Sequence, residues 1–202
     1  MNRRELLVFA AGSLGALHTT FLAAANAAPQ FELLDTQGRK RSLSEFKGKT
    51  VVLEWTSASC PFVRAQYESG VMPETQRWAA SRGIVWLSIL STHPSRRDYL
   101  PPDKAEALHR KRGGAPAALL MDAAGSAGRA YKAVVTPHMF IIDPKSELVY
   151  SGAISDNATM SAKEARASRN YVRTALEDLA AGRKVATPST RPFGCTIAYS
   201  GD

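Results

Sequence analysis

Val51-Val52-Leu53-Glu54-Trp55-Thr56-Ser57-Ala58-Ser59-Cys60-Pro61-Phe62-Val63 decides the reading of the chain. Its first part is apolar and rich in β-favouring residues, so it reads as a strand covered on both faces. Its middle is small and polar, a short loop. Cys60 and Pro61 then mark a helix start, because proline at the first helical position gives up only an N–H that would be unpaired there. The start of a helix presents free N–H groups and partial positive charge, which favour a thiolate over a thiol. A thiol with an ordinary pKa near 8.5 falls to roughly 3.5–7.5 in such places. The stretch therefore points to Cys60 as an exposed nucleophile.

Outward from it, helices and strands alternate. Residues 31–34 and 39–43 are short strands joined by the turn Asp35-Thr36-Gln37-Gly38, and 50–55 is the central strand. Residues 61–69 and 73–81 are helical, broken between at Gly70 and Pro73. Residues 84–90 form a second buried strand. Residues 91–103 form a loop with His93 and Arg96-Arg97, and 102–111 open a helix. Residues 117–121 are a strand, 126–132 a short helix, and 134–143 and 147–151 an antiparallel hairpin. Residues 154–164 read as loop. Val172, Ala175, Leu176, Leu179 and Ala180 recur at helical spacing within a helix over 167–181. The order predicts an α/β protein, a three-layer α/β/α sandwich around a mixed central sheet.

The ends differ from this body. Arg3-Arg4 precede an apolar stretch and the small-x-small site Ala25-Asn26-Ala27. Residues 1–27 thus read as a cleaved export signal. Gly12, Ser13, His18, Thr19 and Thr20 would make a weak membrane anchor, and Arg3-Arg4-Glu5-Leu6-Leu7 loosely resembles a twin-arginine signal. The expected organisation is a signal peptide at 1–27, one domain at 28–182 and a C-terminal tail at 183–202. The tail carries Cys195, the second of two cysteines. An even count in an exported chain admits a disulfide, but sequence alone does not fix the pairing.

Other classes of function lack support. The formal charge is +8, but Arg39-Lys40-Arg41, Arg96-Arg97 and Arg110-Lys111-Arg112 are separate clusters that read as solvated faces, not as a nucleic-acid surface. His93, His109 and His138 with two distant cysteines make no metal-ligand pattern. No phosphate loop or dinucleotide fingerprint is present, so no cofactor is expected.

Over residues 30–182 the chain resembles the thioredoxin-fold redoxins, the grouping that includes alkyl hydroperoxide reductase/thiol-specific antioxidant proteins. Three stretches carry the resemblance: the strand–Cys60–helix unit, Val135-Thr136-Pro137, and Phe140-Ile141-Ile142-Asp143-Pro144-Lys145. It implies a cis Pro137 in a loop facing Cys60, with Thr136, Pro137 and Pro61 shaping the substrate groove. Glu54, six residues before the cysteine, stands where thioredoxin has a buried acid that helps proton transfer. The departures are also plain. Val63 replaces the second cysteine of Cys-x-x-Cys, so no local disulfide is possible. Leu53 and Ser57 replace the proline and threonine of the peroxiredoxin pattern; a serine hydroxyl still suits contact with a peroxide.

The resemblance implies a thiol-dependent oxidoreductase acting on a disulfide or a peroxide in the periplasm. Cys60 attacks, Glu54 and Ser57 assist, and Cys195 on a mobile tail or an external thiol donor resolves. The alternative is a non-catalytic binding module in which a Cys60–Cys195 disulfide is a fixed staple. Oligomeric state is left open.

Overall fold

In the computed structural model the described residues are 26–199. Nearly all of the expected leader lies outside them. Asn26 and Ala28 pair with the backbone of Leu148 and Ser146.

The strands are β1 (Glu32–Asp35), β2 (Lys40–Ser42), β3 (Val51–Trp55), β4 (Val85–Leu90), β5 (Ala118–Met121), β6 (Val135–Thr136), β7 (His138–Ile142), β8 (Leu148–Gly152) and β9 (Cys195–Thr196). The helices are α1 (Pro61–Glu68), α2 (Val71–Ala80), α3 (Pro102–Lys111), α4 (Ser126–Ala130), α5 (Ala162–Ala167) and α6 (Tyr171–Ala180). Seven strands form one sheet in the order β2-β1-β5-β4-β3-β7-β8, and β6 pairs β9 apart from it. β3, β4 and β5 run parallel, whereas β7 is antiparallel to both β3 and β8. The sheet is mixed, as expected, and the hairpin falls where the sequence places it.

β3 is buried along its whole length. Its alternate residues Val51, Leu53 and Trp55 pack with Phe140, Ala127 and Tyr131, towards α4. Val52 faces the other way, among Val63, Met72, Val172 and Leu176 of α1, α2 and α6. Two-sided burial is what turns a period of two into a nearly continuous apolar run. Only Glu54 interrupts it.

Three elements differ from the sequence reading. The run at 134–143 is divided at Pro137 into β6 and β7, with a cis Thr136–Pro137 bond between. A short helix, α5, lies partly where loop was expected. It is capped by the Ser161 hydroxyl accepting from the Glu164 N–H, and it buries only Ala165, so it has no apolar stripe to read. The last helix begins at Tyr171 instead of 167, capped by the Asn170 side chain accepting from the Arg173 N–H.

The tail is also docked instead of loose. The Ser151 N–H donates to Pro188 O and the Thr190 N–H to Ser151 O, which fastens residues 188–190 to β8. The chain then crosses to β6, where β9 pairs with the register Val135↔Thr196 and Thr136↔Cys195.

Candidate active site

β3 delivers the loop 56–59 and then Cys60, the N-cap of α1 with Pro61 at the first helical position. The Arg112 guanidinium at the end of α3 braces this loop by donating to Ala58 O at 2.8 Å. Opposite stands the β6–β7 bend. The Cys60 thiol donates to Thr136 O at 3.0 Å. Cys60, Pro61, Thr136 and Pro137 therefore meet as the sequence anticipates.

The expected exposure of Cys60 does not hold, because the residue is 1% exposed. It belongs to the core cluster of β3, α1 and α2, and the tail packs on that cluster through Phe193 and Cys195. β9 lies along β6, and the Phe193 ring packs on Phe62 with centroids 5.9 Å apart. Cys195 packs against the apolar cluster that holds Cys60, opposite Thr136, whose carbonyl accepts from the Cys60 thiol. Burial, then the neighbouring Cys60, pushes the Cys195 thiol well up, so it keeps its proton beside its neighbour. Both cysteines are free thiols in this state.

Gly194 makes the approach possible. A Cβ there would lie 1.9 Å from Thr136 O and 2.6 Å from Thr136 C, and its φ of +142° is a conformation that other residues rarely adopt. Nothing in the sequence around Gly194 calls for a glycine. Its reason is this contact with a backbone nearly sixty residues earlier.

Ser57 is half-buried. It lines a small polar cavity of about 70 Å³ together with Thr56, Ser59, Arg96, Asp98 and Cys195. The Ser59 hydroxyl donates to Asp98 Oδ2 at 2.7 Å, and the Ser57 and Ser59 hydroxyls are 3.3 Å apart. Thr136 also lines this cavity, and its hydroxyl oxygen is buried without a hydrogen-bond partner among the described residues.

Glu54 bonds to a cage of side chains and makes no hydrogen bond to either sulfur among the described residues. Its carboxyl oxygens accept from Tyr67 Oη at 2.8 Å, Gln76 Nε2 at 3.0 Å, Trp86 Nε1 at 2.8 Å and Ser88 Oγ at 2.8 Å. These donors come from α1, α2 and β4. Tyr67, having given its proton to Glu54, accepts from Gln76, so the His109 Nε2 contact at 3.2 Å requires the imidazole to donate. Burial lowers the pKa of His109, and burial followed by the Glu54 charge raises that of Tyr67. No sequence spacing announces this cage, since its members are adjacent only after folding. His93 bonds Ser95 within its loop, and His138 is a buried strand residue stacked on Phe140 at 4.3 Å. Among the described residues no cluster of three or more His, Cys, Asp or Glu is placed to hold a metal.

A cysteine at a helix start, facing a cis-proline bend beside a mixed sheet, defines a thioredoxin-like redoxin. The chain belongs to the AhpC/TSA family, whose model matches residues 24–151, ending before the tail that carries Cys195. No curated protein matches the chain. Among solved structures it is similar to a hypothetical protein of Sinorhizobium meliloti, with TM-score 0.73 and 24% identity over 88% of this chain and 94% of that one. An uncharacterized conserved protein of Geobacillus kaustophilus gives TM-score 0.74 and 23% identity over 87% and 92%. A secreted disulfide oxidoreductase of Mycobacterium tuberculosis gives 0.50 and 19% over 68% and 92%. These likenesses share the fold. Family and fold together make the chain a thiol oxidoreductase in the general sense.

Proposed function

We propose that Cys60 is the nucleophile and Cys195 the resolving thiol of an oxidoreductase that reduces a disulfide or a peroxide. One observation carries this reading: the register Thr136↔Cys195, which brings the second cysteine to the residue whose carbonyl accepts from the Cys60 thiol.

With a peroxide, the Cys60 thiolate takes the terminal oxygen and the O–O bond breaks. The departing alkoxide or hydroxide is protonated, leaving a sulfenic acid. With a disulfide, Cys60 displaces one thiolate and forms a mixed disulfide. Cys195 then attacks the Cys60 sulfur, expelling water or the second thiol and closing a Cys60–Cys195 disulfide, which an external thiol donor reduces. The proton on Cys195 supports this order. Burial is the first cause that holds Cys195 as a thiol and the neighbouring Cys60 the second, so oxidation of Cys60 removes the second of the two. Pro61, Thr136 and Pro137 bound the site around Cys60. Ser57 lines a small cavity together with Cys195 and with Thr136, whose carbonyl accepts from the Cys60 thiol.

The test is mass spectrometry after peroxide or oxidised glutathione. Wild type should yield a Cys60–Cys195 disulfide, Cys195→Ser a trapped Cys60 adduct, and Cys60→Ser neither. An unmodified Cys60 would refute the assignment.

The near-complete burial of Cys60 favours one other reading, a binding module with the two cysteines as a permanent staple. A closed loop of that length stabilises by about 4–5 kcal/mol in the chain-entropy model. A staple would resist mild reductant and its loss would lower Tm, whereas a working pair cycles.

We place the protein in the periplasm after removal of residues 1–27, with no membrane anchor, nucleic acid, metal or cofactor required. The leader-like composition of 1–27 supports export, and N-terminal sequencing of exported chain checks it.

A further inference from the structure

Residues 188–199 form a strap across the site, fastened on both sides of Cys195. On the near side, the Thr190 hydroxyl sits in a closed ring of hydrogen bonds. Ala153 N–H donates to Thr190 Oγ1 at 2.9 Å, Thr190 and Tyr150 hydroxyls meet at 2.8 Å, and Tyr150 donates to Ala153 O at 2.6 Å. Gly152 makes room for it: a Cβ there would lie 2.1 Å from Thr190 Oγ1 and 2.6 Å from Thr190 O. On the far side, the Ile197 N–H donates to Val134 O at 3.0 Å. The Tyr199 hydroxyl donates to Ala133 O at 2.7 Å, with its ring in a socket where Gly125 and Gly128 leave space.

We propose that this strap determines specificity by occupying the backbone edge of β6, so that polypeptide disulfides are excluded from Cys60 while it is docked. This deepens the reading of Cys60 as the nucleophile and rests on it. An extended chain binds a sheet edge by pairing its backbone with the strand's unpaired groups. At this site the edge of β6 beside Cys60 is already paired by β9, in the register that puts a cysteine at the nucleophile. The chain's own Cys195 holds the position that a substrate cysteine would need. A bulky disulfide meets Phe193 and β9 before it meets a sulfur that is 1% exposed. A small oxidant instead fits the polar cavity of about 70 Å³ between the docked strap and Ser57, Ser59 and Thr136, and the Cys60 thiol lies one hydrogen bond behind Thr136 O.

Release of the strap opens the polypeptide reaction. The Cys60 thiolate attacks one sulfur of the polypeptide disulfide, that S–S bond breaks, and the leaving thiolate takes a proton from water. Dithiothreitol, added as reductant, then displaces the polypeptide from Cys60 and closes its own cyclic disulfide, so two electrons pass from dithiothreitol to the polypeptide.

The experiment compares full-length wild type, Cys195→Ser and Gly194→Val, with insulin as the polypeptide disulfide and hydrogen peroxide as the small oxidant. Valine at 194 cannot approach Thr136 and frees the strap, whereas serine at 195 leaves it docked. Relative to peroxide-driven oxidation of Cys60, insulin reduction should rise about tenfold or more in Gly194→Val, the change that 1.4 kcal/mol of docking supplies. It should stay low in the other two. Hydrogen exchange at Ile197, whose N–H donates to Val134 O while the strap is docked, checks that the strap has lifted while β3 and β4 keep their protection. Equal insulin reduction by all three proteins, with Cys60 reactive and the strap shown to be free, overturns the proposal. A Cys60 inert to both oxidants overturns the underlying assignment instead.

Discussion

Replacing Glu54 by glutamine separates a structural carboxylate from a proton carrier. The side chain is completely buried and takes hydrogen bonds from four side chains. A hydrogen bond to a charged group contributes about 1.5–3 kcal/mol against about 0.5–1.5 for a neutral one, so loss of the charge weakens each by about 1 kcal/mol. Four donors give about 4 kcal/mol. Not having to bury a charge offsets part of it, leaving a net destabilisation of about 2–4 kcal/mol. The new amide also places N–H groups against Tyr67 Oη, which then has to redirect its own proton. Urea unfolding at neutral pH reads the stability, and the pH profile of Cys60 alkylation reads the proton chemistry. The expected result for Glu54→Gln is a lower unfolding midpoint with the alkylation profile unmoved. An unchanged unfolding midpoint with a displaced alkylation profile would refute the reasoning and make Glu54 a participant in proton transfer.

Thr190→Val should cost about 1–3 kcal/mol in chemical denaturation, because it strands the Ala153 N–H that Thr190 Oγ1 now accepts; a loss too small to measure would mean that the ring does not hold the strap. Burial pushes the His138 pKa down to about 4, from a value near 6.5 in the unfolded chain. The unfolded state therefore binds the extra proton first as pH falls, and the contribution is complete above about 6.5 and lost on the way down to about 4. The loss reaches about 3 kcal/mol, at about 1.4 kcal/mol per pH unit. His109 acts in the same direction. His138→Phe should flatten the stability profile in that window, and a slope identical to wild type would contradict it.

What could be read from sequence was local or periodic. β3 and β4 announce themselves because burial on both faces removes polar alternation, and Pro61 after Cys60 marks the helix start without any tertiary information. α5 was invisible because one buried alanine makes no stripe. β9 has two residues and no reason to be a strand until β6 lies beside it. The site shows the same division. Cys60, Pro61, Thr136 and Pro137 belong to stretches with their own signature, and the structure brings them together. That Cys195 would lie against the cluster that holds Cys60, and that the tail would pack there instead of roaming, depends on contacts at Gly194, Thr190 and Tyr199 with residues far away in sequence. Glu54 could be flagged as the one acid in an apolar strand, but its four donors come from separate elements and leave no spacing to recognise.

Attachment on both sides of Cys195 makes the strap a bridge instead of a flap. When its middle lifts, Thr190 and Tyr199 still tether the ends, so Cys195 explores only a small volume around Cys60. Short tethers of this kind give effective concentrations of roughly millimolar. Ring closure should then be independent of protein concentration, and a dissolved thiol has to approach that level before it competes for an oxidised Cys60.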